Sequence, residues 1–65
     1  MKIVRVRKYD GYWIVWYADG SRKTFVDWLV PDAVADFIDW CSEKGSIKQV
    51  GQAVEYTADP NFNTL

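Results

Sequence analysis

The stretch Tyr9-Asp10-Gly11-Tyr12-Trp13-Ile14-Val15-Trp16-Tyr17-Ala18-Asp19-Gly20-Ser21 decides the fold. An apolar run, Tyr12 to Ala18, lies between two Asp-Gly pairs. Asp-Gly readily supplies the positive φ angles of a two-residue hairpin turn. Both flanks alternate in polarity, Ile3 to Tyr9 ahead of the first pair and Arg22 to Trp28 behind the second. Two tight turns joining three such runs predict a three-stranded antiparallel meander.

The turns also predict a register. A two-residue loop at Asp10-Gly11 sets Tyr9 opposite Tyr12, Val6 opposite Val15, Arg5 opposite Trp16 and Val4 opposite Tyr17. A two-residue loop at Asp19-Gly20 sets Ala18 opposite Ser21, Trp16 opposite Lys23 and Ile14 opposite Phe25. Side chains alternate between faces. One face then carries Val4, Val6, Trp13, Val15, Tyr17, Thr24, Val26 and Trp28, and is the expected core face. The other carries Arg5, Arg7, Tyr9, Tyr12, Ile14, Trp16, Lys23 and Phe25.

Beyond the meander, Pro31 suits the first turn of a helix, where its missing N–H costs nothing. From Asp32 to Lys44 the residues Val34, Phe37, Ile38 and Cys41 recur at helical spacing. Lys44 and Gly45 supply a stop, a cation near the carboxyl end and a glycine able to take a left-handed cap. Residues 46–57 alternate as a strand through Lys48, Val50, Gln52, Val54 and Tyr56, with Gly51 inside it. A helix competes there, because Ser46 and Gln49 match a capping box and Ile47, Val50 and Val54 share a helical face. The strand is preferred for its β-branched content. The expected fold is α+β, in the order β-β-β-α-β: a three- to four-stranded antiparallel-type sheet with one helix packed on one face. It occupies residues 1–57 as a single domain, and 58–65 read as an irregular tail.

Composition removes several function classes. With 65 residues the chain makes one domain with a thin core, leaving little room for an enclosed active site. Aromatic residues reach 17%, which excludes disorder. There is no His, so the usual base near neutral pH is missing. A single Cys41 with no His excludes an internal disulfide and argues against zinc. No glycine-rich phosphate loop or calcium-loop ladder is present. The expected protein is therefore not an enzyme, uses no metal or cofactor and is cytoplasmic. No apolar stretch is long enough for a membrane helix, and no signal-peptide core is seen.

Net charge is −1, but it is unevenly divided. Residues 1–26 hold six cations against two acids, and residues 27–65 hold two cations against seven acids. The cations of the first half alternate with rings. Tyr9, Tyr12, Trp16 and Phe25 are candidates for stacking on bases, and Arg5, Arg7 and Lys23 for neutralising phosphates. The first expectation is a binding module for nucleic acid or a nucleotide through this face. A meander backed by one helix resembles, in architecture, the AP2-type and integrase amino-terminal modules that lay strands in a DNA major groove. No diagnostic motif of either family is present, so no residue role is carried over.

Two alternatives stand beside it. The same ring–cation pairs are ordinary cross-strand contacts, and the half-apolar face suits a cover from the tail through Phe62 or Leu65, a homodimer or another protein partner. Asp32, Asp36, Asp39 and Glu43 form an acidic stripe on the helix, which either lies in solvent or mimics a phosphate backbone toward a basic partner. The latter would make the chain a small inhibitor or adaptor of the anti-restriction or anti-CRISPR type, and its size suits an accessory factor of a phage or mobile element.

Overall fold

The computed structural model describes residues 2–58. Three strands come first: β1 (Ile3–Lys8), β2 (Tyr12–Tyr17) and β3 (Arg22–Val26). A single 3-10 turn, Asp27–Leu29, leads to α1 (Asp32–Lys44), followed by β4 (Ser46–Val50) and β5 (Ala53–Thr57). The fold is α+β, with one five-stranded antiparallel sheet in the order β3-β2-β1-β5-β4 and one helix. The sheet has one strand more than the sequence predicts. Residues 46–57 form a hairpin, not one strand, because Gly51 takes φ +59° and Gln52 stays negative. That is the pattern of a turn with glycine at its first central position. The hairpin places β5 beside β1, inside the sheet, so the architecture exceeds a meander plus helix.

The first hairpin keeps the expected register, with Arg5 opposite Trp16, Val6 opposite Val15 and Arg7 opposite Ile14. Near its start β1 bulges, so Ile3 and not Val4 meets Tyr17 and packs against the core. The second hairpin differs by one residue. The Tyr17 N–H donates to the Ser21 carbonyl, and Gly20 alone in the loop has positive φ, +90°. Asp19 accepts from the Ser21 N–H at 2.9 Å and from its hydroxyl at 2.6 Å. The loop therefore has three residues, Ala18 to Gly20, and Trp16 faces Arg22 while Trp13 faces Phe25. A one-residue slip reverses every side chain of β3. Lys23 and Phe25 thus move to the helix side, and Thr24 and Val26 to the other.

Val6, Val15 and Val34 form the buried centre, with Ile3, Trp13, Tyr17, Phe25, Val30, Phe37, Ile38 and Tyr56 packed around it. Trp28, expected in the core, sits on the 3-10 turn and is 79% exposed. Pro31 is the helix N-cap residue; its carbonyl accepts from the Val34 N–H at 3.0 Å. Gly45 ends the helix at φ −107° and not in the left-handed region. It is needed for space: a Cβ there would overlap the carbonyl oxygen of Thr57. The expected tail lies, beyond Ala58, outside the described residues.

Candidate nucleic-acid interface

The helix packs on one face of the sheet, and among the described residues the other face carries β-strand side chains. Register and pleat place three rows on that open face. Arg22, Trp16, Arg5, Thr57 and Ser46 form one. Thr24, Ile14, Arg7, Glu55 and Lys48 form the next. Val26 and Tyr12 begin the third, which Ala53 and Val50 continue on β5 and β4. The face is closed over β5, where Ala53, Glu55 and Thr57 are buried, and more open over β1 to β3.

Of the sequence-predicted site residues, five come together here. The guanidinium carbons of Arg5 and Arg7 lie 4.4 and 5.5 Å from the centroid of the Trp16 ring. Tyr9 and Tyr12 stack at 4.9 Å with planes 9° apart, at the turn end of the first hairpin. Two residues do not join them. Phe25 packs against the core and Lys23 stands opposite Val15, both on the helix side. Lys8 also lies on the helix side, with its ammonium over Trp13 at 5.2 Å.

Three charged residues on the open face were not among the sequence candidates: Arg22, Lys48 and Glu55. Arg22 takes the place expected of Lys23 once the loop has three residues. Glu55 is 1% exposed, and its Oε1 accepts from Arg7 Nε at 2.9 Å and lies 3.5 Å from a terminal nitrogen of Arg5. This carboxylate, and after it the Tyr9 hydroxyl, holds the Arg7 guanidinium above its already high ordinary pKa. The guanidinium therefore stays charged at every working pH. A guanidinium offers five N–H donors, so Glu55 orients two arginines without exhausting either.

The acidic stripe is real but lies elsewhere. Asp32, Asp36, Asp39 and Glu43 are all exposed on α1, on the far side of the sheet from Trp16. Among the described residues no cluster of His, Cys, Asp and Glu is arranged to hold a metal ion, and no helix is long and apolar enough to cross a membrane. A shallow groove of about 440 Å³ beside the helix is lined by Lys2, Ile3, Ala33, Asp36, Phe37, Trp40 and Ala58. No family model, no curated protein and no solved structure matches the chain.

Proposed function

We propose that the protein is a non-enzymatic binding module, working in a reducing cytoplasmic compartment, that takes nucleic acid or a nucleotide on the open sheet face over β1 and β2. The observation that carries this reading is the Trp16 ring held under the guanidiniums of Arg5 and Arg7, with the stacked Tyr9–Tyr12 pair further along the same face. Rings stack on bases at about 1–3 kcal/mol each, and cations beside them neutralise phosphates. Arg22 extends the positive charge toward the β3 edge. Cys41, the one thiol, is buried.

The test is an amide-shift titration by NMR with single- and double-stranded oligonucleotides at two salt concentrations. Shifts at Arg5, Arg7, Tyr9, Tyr12 and Trp16 that shrink at high salt are expected, with the helix silent. A spectrum unmoved by every oligonucleotide and mononucleotide would overturn the reading. It would turn attention to a basic protein partner for Asp32, Asp36, Asp39 and Glu43, whose common exposure favours that alternative.

A further inference from the structure

Resting on the nucleic-acid reading above, we infer that this face takes a single strand and not a duplex. Two features of the open face lead there.

The first is the posture of the arginines. A sheet that reads duplex DNA sends extended polar side chains toward base edges in a major groove about 8.5 Å deep. Arg5 and Arg7 are drawn down instead, to a buried carboxylate at 3.5 and 2.9 Å and onto the Trp16 ring. Their guanidiniums are fixed near the height of the ring they cover. They are placed to meet a phosphate lying on the face, not a base edge at the bottom of a groove.

The second is the spacing of the rings. Tyr12 and Trp16 project from the same side of β2 and stand four residues apart, so about 13 Å separates them along the strand. In a duplex the bases of each strand rise about 3.4 Å per step and cover one another's faces. Bases kept in that stack have no free face to lay on either platform. A strand whose bases splay outward reaches both, with one base on the Tyr9–Tyr12 stack and another at Trp16. Tyr12 is 39% exposed, and a base laid on it extends an existing parallel pair of rings.

The experiment measures fluorescence anisotropy of end-labelled oligo(dT) and oligo(rU) of about 15 nucleotides, a length that covers one small binding face. Each is presented alone and annealed to its complement. The wild-type protein is compared with Tyr12→Ala, Trp16→Ala and, as a control on the helix side, Trp40→Ala. At least about a tenfold preference for one of the single strands over its duplex is expected, with a loss of about fivefold or more in Tyr12→Ala and no change in Trp40→Ala. Trp16→Ala should lose at least as much; if it fails to fold, Tyr12→Ala carries the test alone. Equal or tighter binding of the duplex overturns the single-strand inference while leaving the nucleic-acid reading in place. Single-strand binding unaltered in Tyr12→Ala overturns the stacking geometry. Binding of neither form overturns both readings together.

Discussion

Arg7 donates from Nε to Oε1 of Glu55 at 2.9 Å, across 48 residues of sequence, and the accepting carboxylate is 1% exposed. This bond ties β1 to β5 on the open face, where apolar packing against the helix does not reach. It also makes the two arginines unequal, since Arg5 approaches the same oxygen only to 3.5 Å.

Truncating Arg7 should therefore cost more than truncating Arg5. Arg7→Met leaves a buried carboxylate without its short charge-assisted bond, a loss of about 2–3 kcal/mol. Arg5→Met should cost about 1 kcal/mol. The double change Arg7→Met with Glu55→Met should recover much of the loss, because it removes the buried charge along with its partner. Urea denaturation of the four proteins decides the matter; equal losses for the two arginines would contradict the assignment.

The one-residue shift of β3 has its own consequence. Phe25 packs against the core on the helix side, whereas Thr24 is exposed on the open face. Phe25→Ala should lower stability by about 2–3 kcal/mol, somewhat less than for a fully buried ring. Thr24→Ala should stay within about 0.5 kcal/mol. The reverse ranking would restore the two-residue loop at Asp19-Gly20.

How far the sequence reveals this arrangement depends on which residues set each turn. Asp10-Gly11 yields the correct pairing of Arg5 with Trp16, because the loop length there follows from two flanking alternations. Asp19-Gly20 is compatible with loops of two or three residues, and the choice falls to Asp19, whose carboxylate grips Ser21. The helix is legible over its full length, since its apolar spacing is local. Glu55 is not legible as a buried group. Its burial follows from β5 pairing with β1, a contact that arises only once Gly51 is recognised as a turn. The acidic stripe is readable as a stripe, but the sequence does not place it on the opposite side from Trp16 until the layering is known.

Gly45 offers a test of close packing between the helix end and β5. Its φ is −107°, outside the left-handed region. An added Cβ would overlap the Thr57 carbonyl oxygen and come within 3.1 Å of the Cys41 Cα. Gly45→Ala should cost about 1–3 kcal/mol through overpacking. At Gly11, by contrast, nothing lies near the added Cβ and φ is +91°, so Gly11→Ala should cost about 1–2 kcal/mol from backbone strain alone. Amide shifts in β5 should move in the first variant and stay still in the second.

Asp19 predicts an acid dependence of the second turn. The hydroxyl and N–H of Ser21 hold its carboxyl below the ordinary value of about 3.9. A folded-state pKa that is lowered gives a contribution fully present above the unfolded value. That contribution is lost as pH falls through the folded one. Thermal melts between neutral pH and pH 2 should show a decline that is shallower in Asp19→Asn. An NMR titration should place the Asp19 carboxyl below about 3.9 in the wild type and return it toward that value in Ser21→Ala.

Cys41 should respond in the opposite sense at alkaline pH. Its thiol is 2% exposed and donates to the Thr57 carbonyl at 3.2 Å, and burial pushes its pKa up. In the unfolded chain the thiol ionises near pH 8.5, while in the folded protein it remains protonated beyond that point. Stability from this group is therefore complete below about pH 8.5 and declines as pH rises toward the folded value. Labelling by a thiol-reactive disulfide should proceed only through opening of the fold, accelerating with urea in step with loss of the tertiary signal. Rapid labelling of the native protein at neutral pH would show that Cys41 is reachable from solvent and that the helix does not seal against β5 at Thr57.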